Sequence, residues 1–184
     1  ELDVPVYVST LKHSSLAMNL AVHRLKNKTF NLDFVREIIE QAAIVYNSKK
    51  SGILELGGGV PKNTAQQTGP LLDQILRKDH GGQNYIIQIT DARPDTGGLS
   101  GATLQEGKSW GKVKDSHEDL ITVYTDSTIA FPILALYALS NEESREQKRI
   151  YKKLGNYYNT LQESANKVPD KFADILKKSN INLD

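Results

Sequence analysis

A lysine beside the only tryptophan of the chain is the first candidate for chemistry. Lys112 follows Ser109-Trp110-Gly111, downstream of a glycine-rich stretch from Asp95 to Gly101. A lysine amine forms imines once it is deprotonated, and a neighbouring indole face attracts a cationic amine by about 0.5–2 kcal/mol. The spacing therefore indicates imine chemistry on an amine substrate. Taken alone, the same residues also fit a solvated lysine and a core tryptophan.

A run of three glycines is the candidate for binding a phosphate group. Gly57, Gly58 and Gly59 follow a short apolar run at Ile53 to Leu56. A strand, a glycine turn and a helix together expose backbone N–H groups that bind phosphates. The sequence here is not the G-x-G-x-x-G fingerprint, so a turn that needs glycine only for its positive φ angles is the alternative.

Two carboxylates complete the candidates. Asp126 follows a predicted strand and precedes an apolar helix, so it either caps that helix or accepts hydrogen bonds from ribose hydroxyls. Ser127 and Thr128 are rival caps. Glu106 lies four residues before Trp110, and on a helix these two side chains share a face. A carboxylate and an indole together suit a diamine chain, whereas an exposed helical glutamate is usually only solvated.

These motifs stand in the order and spacing of a known family. The segments that carry the likeness are Ser51 to Asn63, Ser100 to Lys112 and Val123 to Pro132. They resemble the C-terminal half of the deoxyhypusine synthase family, and in particular its bacterial deoxyhypusine synthase-like branch. The resemblance runs from about Val4 to about Leu139.

The resemblance implies an NAD-dependent enzyme in which Lys112 is the catalytic residue. The cofactor-binding residues that it implies are Gly57, Gly58, Gly59, Asp91, Ala92, Ser100, Thr125 and Asp126. The substrate-binding residues that it implies are Asn63, Gln88, Gly98, Leu99, Glu106 and Trp110. Family enzymes are tetramers with sites at dimer interfaces. The expected partners are therefore copies of this chain, or a chain that carries the N-terminal half.

The sequence departs from the eukaryotic members of the family at several positions. Asn63 stands where those enzymes have a histidine close to the substrate, Gln88 where they have a tyrosine, and Leu99 where an acidic residue holds an amine. Met18 likewise replaces an acidic residue, and His13 replaces an aspartate associated with the cofactor. An ammonium without a partner is costly to desolvate, so we expect a shorter or differently charged amine substrate.

The elements that must position these residues alternate between strands and helices. Predicted strands cover Val4–Val8, Ile53–Leu56, Tyr85–Thr90 and Leu120–Tyr124. Predicted helices cover Asn31–Tyr46, Thr64–Arg77, Ala102–Trp110 and Thr128–Leu139. This alternation predicts an α/β fold: a Rossmann-like, doubly wound parallel sheet with helices on both faces and ligands at the carboxyl ends of the strands.

The composition changes after residue 140. The charged run from Glu142 to Arg149 is predicted to open a helix with the apolar stripe Ile150, Leu154, Tyr157 and Leu161. Pro169 is predicted to end it, before a short final helix with Phe172, Ile175 and Leu176. We expect residues 1–140 to be the C-terminal part of an NAD-binding domain, and residues 141–184 to be a helical extension that packs on that domain or on a partner subunit.

Composition argues against several classes of function. The chain has no cysteine, which excludes disulfides, thiolate catalysis and Cys-based zinc sites. Its formal charge of +1 gives no reason to expect a nucleic-acid partner, and no apolar run reaches the ~20 residues of a membrane span. His23, His80 and His117 lack the spacing of metal ligands, so no metal is predicted. We expect a cytoplasmic location.

The expected function combines these observations. We expect NAD-dependent transfer of an aminobutyl-type group from a polyamine, through an imine on Lys112, to an acceptor amine, with a homospermidine-type or deoxyhypusine-type product. The sequence begins at Glu1 almost directly in a strand-like segment, so the N-terminal half is expected on another chain or as a part already removed. The alternative function is a catalytically incomplete subunit that scaffolds or regulates an active partner.

Overall fold

The sheet consists of three parallel strands. The computed structural model of the chain describes residues 2–26, 29, 32–114 and 119–168. Within these residues, β1 (Gly52–Leu56), β2 (Tyr85–Thr90) and β3 (Leu120–Tyr124) pair in the order β1-β2-β3. This pairing confirms the strand predictions for these segments. Isoleucine, leucine and valine side chains form strands here because they suit a pleated, half-buried surface.

The helices surround this sheet. The described residues form α1 (Ser15–Leu25), α2 (Phe34–Tyr46), α3 (Val60–Gln66), α4 (Thr68–Pro70), α5 (Leu104–Ser109), α6 (Ser127–Asn141) and α7 (Ile150–Ala165). Strands that alternate with helices in a parallel sheet confirm the predicted α/β, Rossmann-like fold. No helix in this described part of the chain is both long and apolar enough to cross a lipid bilayer.

The helix after β1 differs from its prediction in both start and continuity. It begins at Val60 rather than at Thr64, because Pro61 favours the first turn and Gly59 provides a positive φ of 79° just before it. It then breaks into α4 and a π-helical turn, Leu71–Ile75, instead of running unbroken to Arg77. The predicted helix from Ala102 is also shorter, because Thr103 caps α5.

Two predicted elements are wrong. Val4–Val8 is described but forms no strand, since no described strand pairs with it and Val6 is 83% exposed. Residues 142–149 form no helix, and α7 begins only at Ile150, after Arg149 in a left-handed conformation. Asp3 ties these two segments together, because its carboxylate accepts from Arg149 Nη1 at 2.7 Å and its carbonyl from the Tyr151 amide.

The core has two parts. One joins α2, the π-helical turn and α7 through Ala42, Ala43, Leu72 and Leu161. The other packs Ile86 of β2 against Leu104 of α5 and against Val113. The predicted apolar stripe of α7 thus packs on α2, while the division of the chain at residue 140 stays a prediction. Six residues named from the sequence lie outside the described part of the chain: Asn31, His117, Pro169, Phe172, Ile175 and Leu176.

Candidate functional site

Lys112 lies at the centre of the site. Its Nζ donates a hydrogen bond to Asn63 Oδ1 at 2.7 Å, and the same Nζ lies 5.8 Å from the centroid of the Trp110 ring. The backbone around it is fixed on both sides, because its amide donates to Gly107 and its carbonyl accepts from Gln83. The lysine is therefore held at the C-terminal end of α5, facing the first turns of α3.

Glu106 has a structural role in α5. It forms a capping box with Thr103: Glu106 Oε1 accepts from the Thr103 amide at 3.2 Å and from Thr103 Oγ1 at 3.0 Å. Its side chain is exposed, and both bonds end on the same oxygen. Helix capping explains this residue locally and leaves Oε2 able to accept from a ligand.

A cavity of about 240 Å³ brings the predicted residues together. Its lining includes five residues predicted from the sequence: Asn63, Leu99, Glu106, Trp110 and Lys112. Among the described residues that line it, Glu106 carries the carboxylate, while Lys62 and Lys112 carry the amines. One carboxylate and an indole in this small cavity can bind an ammonium, and one of its two lysine amines, that of Lys112, can form an imine.

Two further cavities lie near this one. A cavity of about 480 Å³ shares Asn63, Trp110 and Lys112 with it and extends toward Ile38. A larger cavity of about 740 Å³ lies between α1 and Phe34, and His13 lines it. The larger space contains no acidic residue in its lining, and Lys112 does not reach it, so we place the site at the 240 Å³ cavity.

Seven of the eight predicted cofactor-binding residues follow the carboxyl ends of the strands, and the eighth, Ser100, lies in a loop that packs on Gly58. Gly57 follows β1, Asp91 and Ala92 follow β2, and Thr125 and Asp126 follow β3. Because the strands are parallel, these ends share one edge of the sheet, as the Thr125 amide donating to the Thr90 carbonyl at 3.1 Å confirms. This is the edge at which such sheets bind ligands.

The three glycines differ in their surroundings. Gly57 and Gly59 have φ values of 81° and 79°, and a Cβ at Gly57 would meet nothing within 4 Å. A Cβ at Gly58 would lie 2.7 Å from the Ser100 Cα. Gly58 therefore lets the loop that contains Ser100 pack on the turn, whereas the space beside the Cα of Gly57 is unfilled.

Gln88 and Gly98 lie outside the lining of the cavity. Gln88 is 1% exposed, and its Nε2 donates to the Ser100 carbonyl at 3.0 Å and to the Gly57 carbonyl at 3.4 Å. In this structure the side chain therefore holds the loop against the glycine turn. Gly98 precedes the cavity residue Leu99, and a Cβ added at Gly98 would meet no atom within 4 Å.

Asp126 caps α6. Its Oδ1 accepts from the Thr128 amide at 2.7 Å and from Thr128 Oγ1 at 2.6 Å. These hydrogen bonds lower the pKa of the Asp126 carboxyl below its usual value. The cap, one of the two roles predicted for Asp126, is therefore observed.

Sequence reasoning missed a buried charged pair beneath the cavity. Glu55 in β1 and Lys62 in α3 are 4% and 7% exposed, and Lys62 Nζ lies 4.0 Å from Glu55 Oε2. Gln66 Nε2 donates to Glu55 Oε1 at 2.6 Å. The signal in the sequence is a single acidic residue within an otherwise apolar strand. Across the described residues, no group of three or more His, Cys, Asp or Glu residues could hold a metal ion.

Comparison with known proteins identifies the family. A family model of deoxyhypusine synthase matches residues 1–138. The chain is 46% identical over 159 residues to a deoxyhypusine synthase-like protein of Nostoc punctiforme, covering 83% of this chain and 40% of that protein. It is 40% identical over 148 residues to probable deoxyhypusine synthase 2 of Methanosarcina acetivorans, covering 80% and 42%. The chain spans less than half the length of these relatives, and it belongs to the deoxyhypusine synthase family.

Proposed function

We propose that this chain is part of an NAD-dependent transferase that moves an aminobutyl-type group from a polyamine to an acceptor amine through an imine on Lys112. The observation that carries the proposal is the 240 Å³ cavity, which joins the Lys112 amine to the Glu106 carboxylate and the Trp110 ring. Glu106 would bind an ammonium end of the polyamine, and Trp110 would cover its chain. The family membership of the chain agrees with this reaction.

The residues at the strand ends fit NAD. A Cβ at Gly57 would meet nothing within 4 Å, and Gly59 precedes α3 without a side-chain cap, so a phosphate has room to approach amide groups at the start of α3. Asp126 Oδ2 would accept from a ribose hydroxyl, with Asp91, Ala92, Ser100 and Thr125 nearby on the same edge. When bound, NAD accepts the hydride that converts the polyamine C–N bond to an imine. The protein residues orient the amine.

Borohydride trapping tests the proposal. The complete protein, with any chain that supplies the rest of the family's length, is incubated with NAD and spermidine and then reduced. We expect a mass increase on Lys112, and loss of this label in Lys112→Arg. Label on another lysine, with Lys112→Arg still active, would contradict the role of Lys112.

The charges of the cavity predict small free amines as substrates. Glu106 is the carboxylate in the lining, and Leu99 supplies an apolar side chain where a second anion would hold a second ammonium. A missing charge-assisted hydrogen bond of ~1.5–3 kcal/mol lowers affinity roughly ten- to a hundredfold. Competition between spermidine, putrescine and agmatine tests this choice, and Leu99→Asp should move the preference toward spermidine. Efficient modification of a translation-factor lysine by the unaltered protein would contradict it.

Exposed apolar side chains favour a partner for this chain. Leu54, Leu56, Ile121 and Val123 project from one face of β1 and β3, and each is 38–48% exposed. A homotetramer, or a chain that carries the remaining length of the family, would cover this face. Mass analysis of the purified protein tests for a second polypeptide. It also tests the second candidate function, a catalytically incomplete subunit that scaffolds an active chain.

A further inference from the structure

The reaction proposed for Lys112 needs a group that carries protons. The hydrogen-bond partner of its amine is the Asn63 amide, which neither binds nor releases a proton near neutral pH. The titratable groups that act on Lys62 of α3 are Glu55 from β1, Glu106 from α5 and Lys112 itself. We infer that Lys62, paired with the buried Glu55, is the proton carrier for imine formation on Lys112. This inference rests on the proposed function.

The geometry separates Lys62 from an ordinary surface lysine. Its Nζ donates to the Ala102 carbonyl at 2.6 Å while the residue lines the cavity. Glu55 Oε2, at 4.0 Å from that Nζ, is buried and has no hydrogen-bond partner. A buried ammonium that faces both the cavity and an unpartnered carboxylate oxygen can release a proton to a ligand and recover one.

Burial shifts the pKa values of Glu55 and Lys62 in opposite directions. Burial raises the pKa of the Glu55 carboxyl, against the opposing effects of Gln66 and Lys62. Burial also lowers the pKa of the Lys62 ammonium, against the opposing charges of Glu55 and Glu106. The two pKa values therefore move toward each other, which favours exchange of a proton at this pair. A buried ion pair is by itself a poor source of stability, so stability alone gives little reason to place one here.

The neutral Lys112 amine attacks the carbon of the oxidised substrate, a C–N bond forms, and the π electron pair moves to the substrate nitrogen. In the resulting adduct one carbon carries both nitrogens, and one proton must move from the Lys112 nitrogen to the departing nitrogen. Lys62 gives its ammonium proton to the departing nitrogen and takes one from the Lys112 nitrogen. The old C–N bond then breaks, the amine leaves, and Lys62 is again protonated.

The test uses a probe that needs no NAD. In the complete protein, butanal and cyanoborohydride alkylate Lys112 through an imine, and Lys62 would protonate the departing hydroxyl. Mass spectrometry compares the rate at Lys112 with that at the exposed Lys49. We expect Lys62→Arg and Lys62→Ala to slow alkylation of Lys112 about a hundredfold, and imidazole to restore the rate of Lys62→Ala. Lys78→Arg is the matched control, because Lys78 Nζ also donates to a carbonyl, that of Ser164 at 2.9 Å.

A second variant covers the case in which the Lys62 variants do not fold. In Glu55→Gln the loss of the anion favours the neutral form of Lys62, so the optimum pH of Lys62-dependent alkylation at Lys112 should move downward. An unchanged rate in Lys62→Arg, no rescue by imidazole, or an unchanged optimum in Glu55→Gln would overturn the inference. Failure of the polyamine label with normal Lys62-dependent alkylation would refute only the proposed function.

Discussion

The hydrogen bond between Lys112 and Asn63 offers a way to change the protonation of the lysine amine by replacing a single atom of its partner. Asn63→Asp places a carboxylate where an amide oxygen now lies 2.7 Å from Lys112 Nζ. An opposite charge within ~4–6 Å favours the charged form by about one to three pH units. Because the cavity opens to solvent, we take the lower end of this range, which corresponds to about tenfold less free amine at a given pH.

The measurement is the rate of Lys112 alkylation by butanal and cyanoborohydride from about pH 6 to about pH 10. We expect the profile of Asn63→Asp to move upward by about one pH unit, and that of Asn63→Leu not to move upward, since leucine removes the acceptor without adding charge. Circular dichroism confirms that both variants are folded. Identical profiles for Asn63→Asp and the unaltered protein would refute the contact between Asn63 and the amine.

Three further predictions concern stability. Gly58→Ala should lower the thermal midpoint, because its Cβ would lie 2.7 Å from the Ser100 Cα, whereas Gly98→Ala should not; equal midpoints would contradict the packing of this turn. Burial lowers the pKa of His80, so the neutral imidazole stabilises the fold above about pH 6.5, and this stabilisation is lost as the pH falls. In His80→Asn the thermal midpoint should therefore fall less steeply toward acid pH. Leu72→Ala should cost about 2–5 kcal/mol in urea unfolding, because Leu72 is 0% exposed, and a cost near zero would contradict the core.

The local elements of the site could be predicted from the sequence. The periodic apolar runs place β1, β2 and β3 within a residue of their observed ends, because a buried parallel strand requires consecutive apolar residues. The parallel arrangement then puts Gly57, Asp91 and Asp126 at one edge. The spacing of Glu106 and Trp110 likewise brings both to the cavity that Lys112 lines.

Tertiary contacts decided the rest. Val4–Val8 has the composition of a strand but no partner strand among the described residues. Residues 142–149 are charged, as on the exposed side of a helix, but they offer no apolar face that could pack. The predicted role of Gln88 in substrate binding stays a prediction, and its hydrogen bonds to two loops depend on the approach of Ser100 to Gly57. The pairing of Glu55 with Lys62 depends on how α3 lies against β1. Sequence spacing fixes which residues share an element, whereas packing between elements sets the distances that make a charge buried, paired or reactive.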